Sequence, residues 1–260
     1  MKYLASDLDG TLIHNGEIRK EDIDAIVKLK DRGYKFIIST GRGIKSIEEV
    51  FSKHPEVKYD YIVGCNGSIV LDKNRNIVHE AYISNEIGGD LLKDFIDEDK
   101  CCTHFESENE NYLVDPVNTE DVSEFMNHFK EVISKEDTLN GNRKYSMISL
   151  FARDKCVKRA QLVRDKIADK YGDKLEAFRN QYFIDIAPKG CSKGAGINKV
   201  LELDGGNVDN LYTIGDSLND ISMFKITKNS FTFNNAEESV KVEANNYVDT
   251  VEECIDRILA

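Results

Sequence analysis

The sequence feature that most constrains the fold is a short apolar run that ends in two closely spaced carboxylates. Residues 3–12 read Tyr-Leu-Ala-Ser-Asp-Leu-Asp-Gly-Thr-Leu. Side chains of an extended segment alternate with a period of two, so Asp7 and Asp9 leave the strand end on one side. Gly10 permits a sharp turn directly after them because it lacks a Cβ atom. The pattern predicts a buried strand that delivers two carboxylates to one place.

Two neighbouring carboxylates repel each other unless a cation or a proton compensates their charge. Such a pair suits a hard divalent cation such as Mg2+ with a phosphate opposite. It equally suits one carboxylate as a nucleophile and the other as a general acid and base. A plain polar turn between a strand and a loop would use the same residues, so partners elsewhere in the chain must decide.

Composition limits the class of protein. The chain has 260 residues, 40% hydrophobic and 32% charged, which is ordinary for a globular protein of one or two domains. A net charge of −12 argues against a nucleic acid or an anionic membrane as the main partner. Six cysteines without a C-x-x-C pair indicate a reducing compartment. With no membrane-length apolar run and no signal-peptide pattern, we expect a cytoplasmic protein of unspecified oligomeric state.

A second strand end carries hydroxyl and glycine residues. A helical apolar pattern over residues 21–32 precedes the apolar strand 34–39, and this order predicts a parallel strand pair with a right-handed crossover. The residues between this strand and a helix from about Ile44 to Ser52 include Thr40, Gly41 and Arg42. A hydroxyl and glycine-exposed amides ahead of a helix form a natural anion site, although an ordinary turn explains them as well.

Lys193 lies in an unusual electrostatic position. Ser192 is placed to cap a helix, and Lys193 would lie in the first turn of that helix. A lysine there is unfavourable beside the helix dipole unless an anion is bound nearby. A solvated surface lysine is the alternative interpretation.

Two more apolar runs end in short polar segments. The run 61–64 precedes Asn66 and Gly67, and Asn-Gly by itself favours a tight turn. The run 211–214 leads into Gly215 and Asp216, and two more polar residues, Asn219 and Asp220, follow one helical turn later.

The pattern changes between about residues 82 and 186, where apolar residues at three- and four-residue spacing predict three amphipathic helices. These residues are Leu91, Leu92, Phe95 and Ile96; Val122, Phe125, Met126, Phe129, Val132 and Ile133; and Val157, Ala160, Val163, Ile167 and Tyr171. The candidate strands among them are 103–106, 112–114, 145–151, 175–178 and 182–186. Alternating apolar residues predict an antiparallel sheet with one face covered by helices.

Taken together, these segments resemble the motifs of the haloacid dehalogenase (HAD) phosphohydrolases. The matching positions are residues 7–12 for motif one, Thr40 for motif two, Lys193 for motif three, and Gly215-Asp216-x-x-Asn219-Asp220 for motif four. The inserted segment is similar to the large cap of the Cof-type branch, whose members also carry Asn-Gly after the third strand. The resemblance implies a doubly wound parallel, Rossmann-like α/β core (residues 1–81 and 187–260) with an inserted α+β cap (residues 82–186).

The resemblance also implies a function. It implies a Mg2+-dependent phosphatase that hydrolyses a small phosphorylated metabolite through an aspartyl phosphate, with Asp7 as nucleophile and Asp9 as general acid and base. The remaining implied roles are phosphate binding by Leu8, Thr40, Gly41, Lys193 and Asn219, metal binding by Asp7, Asp9 and Asp216, support of the site by Asp220, and contact with the substrate by Arg42 or Asn66.

Two other functions remain open at the level of sequence. A phosphosugar mutase would use a similar core but would need a second phosphate site, and the arginines of the insertion are dispersed. A non-catalytic metabolite sensor on the same fold would be marked by loss of a catalytic residue, yet all the motif residues are present. The sequence does not name the substrate.

Overall fold

The computed structural model describes residues 1–115 and 129–260. The strands are β1 (Tyr3–Ser6), β2 (Ile13–His14), β3 (Glu17–Ile18), β4 (Lys35–Ser39), β5 (Tyr61–Gly64), β6 (Ile69–Asp72), β7 (Ile77–Glu80), β8 (Cys101–Ser107), β9 (Glu110–Val114), β10 (Glu131–Ile133), β11 (Met147–Ala152), β12 (Leu175–Asn180), β13 (Phe183–Pro188), β14 (Leu211–Ile214), β15 (Asn229–Phe233) and β16 (Asn246–Val248). The helices are α1 (Lys20–Asp31), α2 (Ile44–Lys53), α3 (Asn85–Phe95), α4 (Lys135–Asn140), α5 (Val157–Tyr171), α6 (Lys193–Asp204), α7 (Ile221–Phe224), α8 (Glu238–Lys241) and α9 (Val251–Leu259).

The chain divides into two compact units. Unit 1 consists of Met1–Arg42, Ile47–His79 and Ser192–Ala260, and unit 2 of Gly43–Ser46 and Glu80–Cys191. Unit 1 therefore combines the two ends of the chain. No described helix has the length and hydropathy that a membrane crossing requires.

Unit 1 is organised around an eight-stranded sheet with the order β16-β15-β14-β1-β4-β5-β6-β7. Its six strands from β16 to β5 are parallel, while β6 returns antiparallel to β5. Strand β1 is buried along its whole length, as expected for a central strand covered on both faces. The register pairs Ser6 with Ile38 and with Ile214, so the segments that follow β1, β4 and β14 leave the sheet at the same edge.

The predicted α/β class with a parallel Rossmann-like core is confirmed. Apolar periodicity located α1 and α2 to within one residue at each end. The antiparallel strand β6 and the short edge strand β16 were not predicted, because four or fewer residues carry too little pattern to separate a strand from a loop.

Unit 2 contains a six-stranded sheet with the order β10-β9-β8-β11-β13-β12. All its pairs are antiparallel except β9 with β10. One face carries Phe105, Ile148 and Ile186, which form a buried cluster with apolar residues of α3 and α5. This is the predicted α+β arrangement, in which a sheet buries one face under helices.

One predicted helix of the insertion is wrong within the described residues. Val132 and Ile133 lie in strand β10, which pairs with Tyr112–Val114, and not in a helix. Three- and four-residue spacing of apolar residues does not exclude a short β-branched strand, and here the neighbouring strand decides. The other residues assigned to that helix, apart from Phe129, lie outside the described residues: Val122, Phe125 and Met126.

Candidate active site

Asp7 lies directly after β1 in the interior of unit 1. Its backbone N–H donates to the carbonyl of Ile214 at 3.0 Å, which fixes the chain between two strands. The side chain is only 2% exposed. Burial raises the pKa of the Asp7 carboxyl well above its ordinary value, while the positive charge of Lys193 opposes this rise. Such an environment requires a compensating positive charge close to Asp7.

Lys193 supplies that charge as the first residue of α6. Its Nζ lies 2.6 Å from Oδ1 of Asp7 and 2.5 Å from Oδ1 of Asp220, and its side chain is fully buried. Burial alone would lower the pKa of the Lys193 ammonium, but the two carboxylates outweigh burial and raise the pKa. The interpretation as a solvated surface lysine is therefore wrong.

Asp220 has both carboxylate oxygens engaged. Besides the Lys193 contact of Oδ1, its Oδ2 accepts the backbone N–H groups of Asp216 at 2.9 Å and Ser217 at 2.8 Å. A Cβ atom at Gly215 would lie 2.4 Å from Cγ of Asp220, so this approach requires glycine. Asp220 thus holds both Lys193 and the backbone that carries Asp216.

Asp216 faces the first motif. Thr11 donates from Oγ1 to Oδ1 of Asp216 at 2.8 Å. Gly10, with φ +85°, allows this contact because a Cβ atom there would lie 2.6 Å from Oδ2 of Asp216. Burial, followed by the charge of Asp220, raises the pKa of Asp216 to about 6. Thr11 was not among the predicted site residues, although it belongs to the Asp-x-Asp-Gly-Thr string.

Three carboxylates converge where these motifs meet. Asp7, Asp216 and Asp220 each offer an oxygen atom, and these atoms lie within 4.8 Å of one another. Oδ2 of Asp7 is buried and has no hydrogen-bond partner among the described residues. One lysine opposite several buried carboxylates leaves an excess of negative charge. A hard cation with oxygen ligands would offset this excess, so the donor set fits a divalent metal ion.

Asp9 is held by Arg42. Nε of Arg42 donates to Oδ2 of Asp9 at 2.7 Å, and Nη2 donates to Oδ1 at 2.6 Å. A two-point contact between a planar guanidinium and a carboxylate fixes both the position and the plane of the carboxylate. No local pattern could predict this pair, because the two residues come from different strand ends.

The predicted phosphate-binding residues of the first two motifs also lie in unit 1. Thr40 is almost fully buried, and its Oγ1 accepts the backbone N–H of Arg42 at 3.2 Å. Half-buried Gly41 lies between them. Leu8 is fully buried, and its carbonyl accepts three backbone N–H groups of the turn formed by residues 11–13. Their roles in binding phosphate stay predictions.

Asn66 and Asn219 are in contact with each other. Nδ2 of Asn219 donates to Oδ1 of Asn66 at 3.2 Å, and both side chains are buried. Contact of Asn66 or Arg42 with a substrate stays a prediction. Asn66 has Asn219 among its partners, and Arg42 has Asp9 among its own.

The site agrees with the family comparison. Residues 4–256 match the family model described as haloacid dehalogenase-like hydrolase. The chain belongs to this family of hydrolases, as the motif resemblance predicted.

Similar proteins cover nearly the whole chain. The 5-amino-6-(5-phospho-D-ribitylamino)uracil phosphatase YwtE of Bacillus subtilis is 24% identical over all of this chain and 99% of its own length. The pyridoxal phosphate phosphatase YbhA of Escherichia coli is 24% identical over 94% of this chain and 92% of its own. A haloacid dehalogenase-like hydrolase structure from B. subtilis superposes with a TM-score of 0.84 at 18% identity, covering 97% and 96% of the two chains. That structural likeness establishes the fold.

Proposed function

We propose that this protein is a Mg2+-dependent phosphatase that hydrolyses small phosphomonoesters through an aspartyl phosphate on Asp7. The observation that carries the proposal is the buried group in which Lys193 pairs with both Asp7 and Asp220. Such a group supplies a carboxylate nucleophile and a fixed positive charge within 3 Å of it. Family membership and relatives named as phosphatases support the same reaction class.

Asp7 and Asp216 would hold the Mg2+ ion, together with the backbone carbonyl of Asp9. The Asp220 oxygens already accept three hydrogen bonds from Lys193, Asp216 and Ser217, so Asp220 is better suited to support than to ligation. When bound, the ion would offset the repulsion between the carboxylates and a phosphate dianion.

The chemical steps then follow from the two carboxylates. Lys193 holds one oxygen of Asp7, and Oδ2 attacks phosphorus while the bond to the leaving-group oxygen breaks with its electron pair. Protonated Asp9 gives its proton to that oxygen. The resulting Asp9 carboxylate then takes a proton from water, whose oxygen attacks phosphorus and releases Asp7 and inorganic phosphate. In the structure Arg42 occupies both oxygens of Asp9, so this two-point contact must loosen when Asp9 carries the proton.

The proposed substrate is a small phosphorylated metabolite. The two named relatives act, by their names, on a phosphorylated ribitylaminouracil and on pyridoxal phosphate, which are both small phosphomonoesters. A panel for this protein should therefore include a polyol phosphate, pyridoxal phosphate and hexose phosphates.

The test is phosphate release from that panel with Mg2+ or with EDTA, using Asp7→Asn as the variant. We expect metal-dependent release that falls to background in Asp7→Asn. Asp209→Asn is the matched control, since Asp209 is an exposed aspartate of the same unit, and it should retain full activity. Full activity of folded Asp7→Asn would contradict the assignment of the nucleophile.

The same panel separates the mutase alternative. A hexose 1-phosphate converted to its isomer without phosphate release would favour a mutase. The arginines of unit 2 give no support to a second phosphate site, because several bind separate partners. These pairs are Arg143 with the Asp137 carbonyl, Arg159 with Asp154, Arg164 with the Ala177 carbonyl and Arg179 with Gln161.

A further inference from the structure

The turn that follows β5 has an unusual backbone. Cys65, Asn66 and Gly67 have φ values of 50°, 50° and 90°, and all three residues are buried. Left-handed conformations of residues other than glycine are uncommon and cost free energy, so they persist only where surrounding contacts hold them. Two of them in succession in the interior of unit 1 therefore call for a structural reason.

The first contacts of this turn are with the segment of the second motif. The backbone N–H of Cys65 donates to the carbonyl of Arg42, and the N–H of Asn66 donates to the carbonyl of Thr40, both at 3.0 Å. In return, the N–H of Thr40 donates to the carbonyl of Val63 at 2.9 Å. The turn thus fixes the backbone on both sides of Gly41.

Its second contact is with the start of α6. A Cβ atom at Gly67 would lie 2.1 Å from the carbonyl oxygen of Ser192, the residue before Lys193. A Cβ atom at Gly196, one turn into α6, would lie 3.1 Å from Cα of Gly67. Only a chain without side chains at these points can bring the turn and the helix start together.

Its third contact is the amide pair of Asn66 and Asn219. Asparagine tolerates the left-handed conformation better than most residues, and its amide can accept or donate. Oδ1 of Asn66 accepts the Asn219 donor at 3.2 Å, inside a region where both side chains have 1% exposure or less. The same turn therefore touches the segments of Thr40, Lys193 and Asn219.

We propose that the turn Cys65–Gly67 aligns the three phosphate-binding segments with one another, and that Asn66 is a positioning residue that acts through Asn219. This inference rests on the proposed function, since it assigns Asn219 to the phosphate. It differs from the sequence-based hypothesis, in which Asn66 would contact the substrate itself. The two ideas predict different coupling between Asn66 and Asn219.

A double-mutant cycle tests the coupling. The variants are Asn66→Gly, Asn219→Ala and their combination, and the measurement is the dissociation constant of inorganic phosphate in the presence of Mg2+ by calorimetry. Glycine at position 66 allows the left-handed backbone and removes the side chain with its amide. We expect Asn66→Gly to weaken phosphate binding about tenfold, as for the loss of one buried hydrogen bond that orients a ligand group.

If Asn66 acts through Asn219, the double variant binds phosphate no more weakly than Asn219→Ala alone. Additive losses would show direct contact of Asn66 with the ligand and would overturn the inference. So would an unchanged dissociation constant for Asn66→Gly in a chain that otherwise binds phosphate. Absence of phosphate binding by the unaltered chain would instead contradict the proposed function, and the inference would fall with it.

Two further variants separate positioning from stability. Asn109→Gly makes the same change at an exposed left-handed asparagine (φ 62°) in unit 2, and it should leave phosphate affinity unchanged. Asn66→Ala adds the strain of the left-handed backbone to the loss of the amide, so its melting temperature should fall below that of Asn66→Gly. A melting temperature of Asn66→Gly far below that of the unaltered chain would overturn the positioning role in favour of a purely structural one.

Discussion

Glu106 in strand β8 provides a stability test that does not involve catalysis. It is 3% exposed, and burial, together with the negative charge of Glu110, raises its pKa from 4.5 to about 7, against the opposing charge of Lys45. A rise of about 2.5 in pKa, at 1.36 kcal/mol for each pKa unit, corresponds to about 3 kcal/mol. The ionised carboxylate therefore destabilises the folded state, and Glu106→Gln should remove this cost.

The sign of the effect fixes the pH window. Between pH 4.5 and about 7 the folded state keeps a proton on Glu106 that the unfolded chain has released. The free energy of unfolding contributed by this residue therefore falls as the pH rises through the window, and the loss is complete above about pH 7. The free energy of unfolding of Glu106→Gln, measured relative to the unaltered protein, should therefore be about 3 kcal/mol higher at pH 8 than at pH 4.5.

Urea unfolding at several pH values measures this difference. Titration of other groups cancels when the variant is compared with the unaltered protein at each pH. Glu108→Gln is the matched control, because Glu108 is an exposed glutamate in the turn two residues later. If the difference in unfolding free energy between Glu106→Gln and the unaltered protein stays constant from pH 4.5 to pH 8, the reasoning is refuted.

Three further changes test other parts of the fold. Lys193→Met leaves two buried carboxylates without their shared cation. We expect the free energy of unfolding in urea to fall by about 3–5 kcal/mol and phosphate binding to be lost. An unchanged midpoint of urea unfolding would contradict the buried pairing. Gly67→Ala and Gly16→Ala both place a side chain at positive φ, which costs about 1–2 kcal/mol of folding free energy. Only the Cβ atom of Ala at position 67 would also lie 2.1 Å from a carbonyl oxygen, that of Ser192. Gly67→Ala should therefore melt at the lower temperature, and equal melting temperatures would argue against the close approach. Burial lowers the pKa of His104 to about 4. As the pH falls from 6.5 towards 4, the unfolded chain takes up a proton on this residue that the folded state does not, so the free energy of unfolding falls. His104→Asn should weaken that acid sensitivity, and an identical pH profile would exclude His104 as its source.

The residues of motifs one, two and four could be found from the sequence because each set follows a strand with a strong local pattern. The apolar run 3–6 and the run 211–214 are strands that end where the charged residues begin, and their parallel register places those ends together. The helix-dipole argument drew attention to Lys193, but only its resemblance to a family motif decided against a surface lysine. Its residue type and its position at a helix start would by themselves predict a lysine on the protein surface.

Other features depend on contacts that no local pattern contains. The pair of Asp9 with Arg42 joins residues 33 positions apart, and the contact of Asn66 with Asn219 spans 153. Spacing within either segment cannot reveal such a pair, because each side chain has several rotamers and the choice depends on what packs opposite. The predicted helix that includes Val132 failed for a related reason, since pairing with β9 selected a strand.

Local sequence was therefore sufficient for the α/β class and for the edge of the sheet where the polar residues gather. Apolar periodicity and strand order can be recognised in short stretches of sequence, and parallel pairing then places the ends of those strands at one edge of the sheet. The tertiary structure alone decided which two carboxylates bind Lys193, which arginine holds Asp9, and which contacts hold residues 65–67 in left-handed backbone conformations. Burial makes the difference, because a charge or amide removed from water must take whichever partner the fold brings within hydrogen-bond distance.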